Sequence, residues 1–272
     1  RRRSCPASAC AACDRETLVS RLSLAVLTLI MAFQQSPARA GLVEVIAGVK
    51  PAVVMVGTHQ PLASPQFSLL GTGFAVGDGR RVATAAHVVR NLRSVDGEAG
   101  RLVVRGADGA TGMRPATVLA MDEAHDLAIL GVDGPPIPAL PLGEGESVRE
   151  GRMVAFTGFP IGVALGFTPV THRGMVSAVT PIAMPSPTAG SLKARVLKRL
   201  REGSFSIFQL DATAYPGNSG GPLFDTETGE VLGVINMVVI KGTKEAVLSH
   251  PSGISYAVPV QYLRELMAEG ER

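Results

Sequence analysis

Three short stretches of this 272-residue sequence carry residue types that together could perform nucleophilic catalysis. The first is Asp211-Ala212-Thr213-Ala214-Tyr215-Pro216-Gly217-Asn218-Ser219-Gly220-Gly221-Pro222. Glycines on both sides of Ser219 let the backbone turn tightly, expose the hydroxyl and aim N–H groups outward, which suits a serine nucleophile beside an anion-binding turn. Composition alone equally allows a Gly-rich turn with an incidental serine. The second stretch, Val82-Ala83-Thr84-Ala85-Ala86-His87-Val88-Val89, places His87 at the end of an apolar strand. The third, His125-Asp126-Leu127-Ala128-Ile129-Leu130, places Asp126 at the start of another. Taken singly, a histidine in an apolar setting is a satisfied core residue and an aspartate before a strand is a turn former. Taken together they are an acid, a base and a nucleophile. Gly217, Ser219 and Gly221 also fit the G-x-S-x-G elbow, but that motif needs a helix directly after the serine and a histidine downstream. Gly220-Gly221-Pro222 is a poor helix start and only His250 follows, so the elbow reading fails.

The elements that must hold these residues read as strands. With 31 Gly, 19 Pro and no Trp, the chain favours tight turns and short elements over long amphipathic helices. A short helix at 42–49 is stopped by Lys50-Pro51, and apolar runs of strand length follow at 53–58, 69–76, 81–85, 102–105, 116–120 and 127–132. A Pro- and Gly-rich loop at 133–145 precedes a second series at 153–157, 174–179, 206–211, 222–224, 231–239 and 254–258. Asp225-Thr226-Glu227-Thr228-Gly229 reads as a hairpin connection. A helix at 259–268, with Pro259 in its first turn and Val260, Leu263, Leu266 and Met267 on one face, closes the chain. The pattern predicts an all-β fold of two barrels side by side, the first about 43–135 and the second about 145–258, with a C-terminal helix. His87 and Asp126 then belong to the first barrel and Ser219 to the second, so catalysis would lie at their interface. The order His, Asp, Ser is that of the chymotrypsin-type triad, unlike the subtilisin or α/β-hydrolase orders.

Bulk charge describes a different part of the chain. Six basic and two acidic side chains, and all three cysteines (Cys5, Cys10, Cys13), fall within residues 1–40. The remaining residues hold 20 basic against 21 acidic groups, which removes the case for a basic partner surface and for nucleic acid. Arg15 and Arg21 precede an uncharged run from Leu22 to Phe33, and Ala38-Arg39-Ala40 ends the segment. These are the parts of a secretory signal peptide, with cleavage expected after Ala40 and export to the periplasm or beyond. A retained anchor is the alternative, but a span needs ~18 to 20 apolar residues, more than this run supplies. The cysteines lack a nearby His and read as incidental rather than as a metal cluster. His59, His172 and His250 show no ligand spacing.

The motifs in sequence are Gly71-Thr72-Gly73-Phe74, Thr84-Ala85-Ala86-His87, His125-Asp126-Leu127-Ala128, Gly174-Met175-Val176-Ser177-Ala178, Gly217-Asn218-Ser219-Gly220-Gly221-Pro222 and Gly253-Ile254-Ser255-Tyr256-Ala257-Val258-Pro259. In that order, residues 41–272 resemble the trypsin-like protease domain of the HtrA (Deg) family, within the chymotrypsin-like serine proteases. The resemblance implies a double β-barrel endopeptidase acting on extended or unfolded polypeptide outside the cytoplasm, with catalytic His87, Asp126 and Ser219 and no metal or cofactor. It implies an oxyanion hole in the Gly217, Asn218, Ser219 turn, its donors the backbone N–H groups of Gly217 and Ser219. In trypsin-like zymogens the residue before the serine is Asp and pairs with a freed N-terminus; Asn218 is neutral and cannot, so activation of that kind is not expected. Thr213 resembles the floor of the primary pocket and Asn236, Met237 and Val238 its walls, which points to cleavage after small or medium apolar residues and to β-augmentation as the binding mode. Many members continue into PDZ domains; this sequence ends ten residues after Tyr262, so regulation without one is expected. The family's trimer contacts involve N-terminal segments, which leaves a homo-oligomer open.

Two readings stay beside that one. A trypsin-like fold can serve only for binding, as a chaperone-like protein, or can be latent with its oxyanion turn out of place. The basic amphipathic stretch 192–201, with Leu192, Val196 and Leu200 on one face, could touch an anionic membrane surface or simply be a solvated helix over a loop.

Overall fold

The computed structural model describes residues 41–90, 101–106, 112–160, 168–182, 205–236 and 253–270. The expected signal segment 1–40, the basic stretch 192–201, and Met237 and Val238 lie outside them. Helix α1 (Leu42–Val49) runs into a single 3-10 turn at Lys50–Ala52, where Pro51 ends it. The first barrel follows: β1 (Val53–His59), β2 (Phe67–Val76), β3 (Arg81–Ala85), β4 (Arg101–Gly106), β5 (Met113–Asp122) and β6 (Leu127–Val132), with the short helix α2 (Ala86–Val89) between β3 and β4. The second comprises β7 (Met153–Gly158), β8 (Val170–Ile182), β9 (Phe205–Asp211), β10 (Pro222–Asp225), β11 (Val231–Ile235) and β12 (Ile254–Pro259), and helix α3 (Val260–Glu269) closes the fold. Both barrels are closed and antiparallel, in the orders β1-β2-β3-β6-β5-β4 and β10-β11-β12-β9-β8-β7. This is the all-β double barrel with a C-terminal helix that the strand pattern predicts.

Burial explains why most strands read as continuous apolar runs rather than as alternations. β3, β6, β10 and β11 are buried along almost their whole length, because one face fills a barrel and the other meets the neighbouring barrel or a helix. Val54, Ala75, Val82 and Leu130 fill the first barrel, and Phe156, Phe208, Leu210 and Leu223 the second. A third cluster joins residues of both barrels, including Phe74, Phe159 and Phe224, to Val45 and Val49 of α1 and to Val260, Leu263 and Leu266 of α3. β5 alternates between inner and outer positions, as a strand with a solvated face does.

The differences from the sequence pattern are local and have physical causes. β8 extends past both expected ends, since its polar residues find partners on β7: Thr171 faces Thr157 with hydroxyls 2.8 Å apart, and His172 stacks on Phe156 at 5.0 Å. His87 does not end a strand. β3 stops at Ala85, paired with Leu127, and the Ala86 N–H donates to the Asp126 carbonyl (2.9 Å), so His87 sits in the first turn of α2. Pro259 is the last residue of β12 and caps α3 rather than lying inside it.

Candidate active site

Asp126 occupies the turn ahead of β6 at φ 56, a left-handed conformation uncommon outside glycine that short polar side chains tolerate best. Its side chain is 2 % exposed, and a carboxylate so deeply buried requires donors. Oδ1 accepts the His87 backbone N–H at 2.8 Å, and Oδ2 lies 2.5 Å from His87 Nδ1. Both ends of one histidine are therefore held by one carboxylate, which fixes the ring's orientation and leaves Nε2 as the nitrogen able to take a proton from a nucleophile. Two further donors reach the same carboxylate. The Arg90 guanidinium approaches Oδ1 at 3.4 Å from the turn after His87, and the Asn236 amide donates to Oδ2 at 2.9 Å from the other barrel.

Ser219 lies in the turn before β10, and hydrogen bonds set that turn's shape. The N–H groups of Asn218, Gly220 and Gly221 donate to the carbonyls of Tyr215, Ile235 and Asn218 at 3.0, 2.8 and 2.9 Å. Among the described residues, those of Gly217 and Ser219 have no acceptor. Two such N–H groups, the serine's own and that of the residue two before it, are chemically able to bind an oxyanion. Asn218, grouped with the hole by sequence, contributes no backbone donor because Tyr215 accepts its N–H.

Thr72 on β2 clasps this turn to the first barrel. Its N–H donates to the Ser219 carbonyl (2.9 Å) and its hydroxyl to the Gly217 carbonyl (2.6 Å). The same hydroxyl accepts the Phe159 N–H (3.1 Å), and the Thr72 carbonyl accepts the Thr84 hydroxyl (2.7 Å). Gly220, at φ 86, has no room for a side chain: a Cβ there would stand 2.2 Å from the Thr72 carbonyl oxygen and 2.9 Å from the Ala85 nitrogen, two residues before His87. The serine turn is thus pressed against the strand end from which His87 emerges.

Nothing in the sequence marked Thr72 or Thr84 for this task. The available signal was a threonine hydroxyl among apolar residues; both threonines are fully buried, and a buried hydroxyl must bond to something. Thr213 is half-buried in a segment bracketed by Ser255, whose hydroxyl accepts the Ala214 N–H and donates to the Ala212 carbonyl, each at 2.7 Å. Asn236, expected as a pocket wall, is 1 % exposed, with its amide donating to Asp126. The Asn218 amide is fully buried, and neither end has a hydrogen-bond partner among the described residues. Nearby, burial pushes the His172 imidazole below its ordinary value, and its buried Nε2 has no partner among the described residues. No group of three or more His, Cys, Asp or Glu among the described residues could hold a metal ion.

The model of the trypsin-like peptidase domain matches residues 71–234. The chain is 33% identical over 234 residues to the mitochondrial serine protease HTRA2 of Bos taurus, covering 84% of this chain and 43% of that protein. It is 30% identical over 191 residues to the "Probable periplasmic serine endoprotease DegP-like" of Halomonas elongata, covering 70% and 33%. The solved structure of the HtrA-type protease AlgW with a tripeptide superposes with a TM-score of 0.60 at 24% identity, over 84% of this chain and 63% of that one, and shares the fold. The chain spans less than half the length of these two sequence relatives. With barrels, catalytic-type turn and matched region in agreement, the chain belongs to the trypsin-like peptidase domain family and is HtrA-like.

Proposed function

We propose that this chain is a serine endopeptidase that hydrolyses extended or unfolded polypeptides through His87, Asp126 and Ser219. The observation that supports it best is the seam at Thr72, which holds a serine turn with two free N–H groups against the strand end that carries a carboxylate-bound histidine. Ser219 Oγ would attack the scissile carbonyl while His87 takes its proton and later returns it to the leaving amine. Asp126 keeps Nδ1 occupied and stabilises the imidazolium. The Gly217 and Ser219 N–H groups receive the oxyanion, each such donor contributing roughly 10²–10³ in rate. No carboxylate replaces Thr213 to attract a basic side chain, so small or medium apolar residues before the cut suit the site. The periplasmic and mitochondrial relatives fit the signal-like segment, and we place the activity outside the cytoplasm.

One observation favours a second reading, a latent protease. The buried Asn218 amide, unbonded at both ends, sits inside the turn that carries the oxyanion donors. A buried polar group left unpaired costs about 1–3 kcal/mol, so this turn has a standing reason to rearrange. Both readings meet one experiment. Wild type should degrade unfolded casein and take up a fluorophosphonate at Ser219, and Ser219→Ala should do neither. A latent enzyme would label slowly and gain activity on adding excess peptide; equal inertness of both proteins towards every reagent would sink the peptidase reading.

A further inference from the structure

Resting on the peptidase reading, we propose that Arg90 is a positioning residue that acts on His87 through Asp126. Its charge on that carboxylate keeps His87 free of a proton, and the enzyme active, further into acid. A general base must be unprotonated before it can take the Ser219 proton. The carboxylate that orients His87 also favours a proton on it, because an imidazolium beside an anion is stabilised. A cation on the same carboxylate works the other way. With Arg90 the group beside the base is a neutral ion pair; without it, that group would be a bare negative charge.

Local structure places that cation. Arg90 caps the C-terminal end of α2, its N–H donating to the Ala86 carbonyl, so His87 and Arg90 stand three residues apart on one helical turn and share a face. They reach the two oxygens of one carboxylate: His87 Nδ1 lies 2.5 Å from Oδ2, and the Arg90 guanidinium 3.4 Å from Oδ1. Asp126 is 2% exposed, so solvent ions screen these charges poorly. The Arg90 side chain is 32% exposed, yet its Nε is buried and has no hydrogen-bond partner among the described residues. Leaving that N–H dry costs free energy, which the ion pair with Asp126 offsets. The other charged groups near the ring do not compete. Asp122 and His125 in the β5–β6 turn hold each other at 2.5 Å, and Glu123 between them is exposed. The Ala85 end of β3, Gly71 and Thr72 of β2, the turn at 217–221 and Asn236 bring no charge.

The test follows kcat/KM against pH for the full chain, on a fluorogenic peptide with valine before the cut. Arg90→Gln keeps a polar side chain and removes the charge. Its acid-side midpoint should move up by about one pH unit, so that well below both midpoints it retains about tenfold less of its own plateau rate than wild type does. Arg90→Lys keeps the charge without the planar fork, and its midpoint should stay within about 0.3 of a pH unit of wild type. A merely structural role would scale the rate equally at every pH and leave the midpoint in place. That pattern in Arg90→Gln overturns the proposal, and so does a lysine variant displaced as far as the glutamine one. Should Arg90→Gln not fold, Arg90→Met is judged by the same midpoint. Failure of wild type itself to label with a fluorophosphonate at any pH would instead be a failure of the peptidase reading.

Discussion

Two histidine–carboxylate pairs draw on one short turn of this molecule, between β5 and β6, and their local geometries are nearly the same. His87 Nδ1 is 2.5 Å from Asp126 Oδ2 while its N–H donates to Oδ1; His125 Nδ1 is 2.5 Å from Asp122 Oδ2 while its N–H donates to Oδ1 at 3.1 Å. The two imidazoles are even equally exposed, 23% and 22% of each side chain. What differs is the surroundings. His125 is stacked on Tyr262 of α3 at 4.1 Å and meets Phe205 edge-on at 4.7 Å, so its ring mortars the β5–β6 turn to the second barrel and the closing helix. His87 meets no aromatic ring among the described residues and emerges beside the clasped serine turn. The carboxylate bond alone therefore does not set the two histidines apart; on the proposed function the His87 pair is catalytic and the His125 pair structural.

Breaking each pair should separate them by orders of magnitude. Asp126→Asn leaves the packing but lets the imidazole adopt the wrong tautomer, which should cost kcat about 10⁴-fold on a fluorogenic peptide. Asp122→Asn should leave kcat within a few-fold and appear instead in denaturant midpoints. If the two substitutions had similar effects on kcat, the division into a catalytic and a structural pair would collapse. Thr72→Val comes next in size. It retains the side-chain volume but removes the hydroxyl that binds the Gly217 carbonyl and the Phe159 N–H, so the oxyanion donors lose their alignment. Loss of one such donor typically costs about 10²-fold in kcat, and the expected pattern is that loss with fluorophosphonate labelling slowed alongside it.

The fold was legible because most strands are buried on both faces and announce themselves as apolar runs between Gly and Pro turns. The catalytic-type residues were legible because His87, Asp126 and Ser219 stand out against those runs. Thr72, Thr84 and Asn236 were not, since each acts through a partner 12 or more positions away and nothing in its own neighbours shows which carbonyl or carboxylate it meets. Asn236 shows the limit best. The family resemblance suggests a substrate wall there, within an expected strand at 231–239, and only the register of two barrels turns its amide onto Asp126. The equivalence of the two His–Asp pairs was hidden for the same reason: Asp122 and His125 look like any polar turn until Tyr262 and Phe205 close over them.

The structural pair carries its own pH dependence. Burial alone would push the Asp122 carboxyl up, but the His125 side-chain and backbone hydrogen bonds, the His125 charge and the Ala124 N–H more than offset it and leave it below its ordinary 3.8. A carboxylate lowered in the folded state contributes stability that is present above pH 3.8 and lost as the pH falls through its folded value. Wild type should therefore lose stability on acidification below pH 3.8 more steeply than Asp122→Asn, while at pH 7 the variant is weaker by about 1 kcal/mol, as expected for a partly exposed bond. Equal acid slopes in urea titrations would show that the stacked imidazole, not the pair, holds the turn.

The smallest effect belongs to His172, which has no carboxylate partner among the described residues. Burial lowers it from its ordinary 6.5, so below that pH the unfolded chain binds a proton more readily than the folded one. Stability should accordingly decline as the pH falls beneath 6.5, the opposite of what a histidine gains from a carboxylate partner. His172→Phe preserves the stack on Phe156 and removes the titration. Measured by thermal unfolding, the variant should match wild type at pH 7.5 within about 1 kcal/mol and outlast it at pH 5. A wild type that held its midpoint across that interval would mean that the protonated Nε2–H finds a hydrogen-bond acceptor on acidification, and the contrast between paired and unpaired histidines in this fold would need a different physical basis.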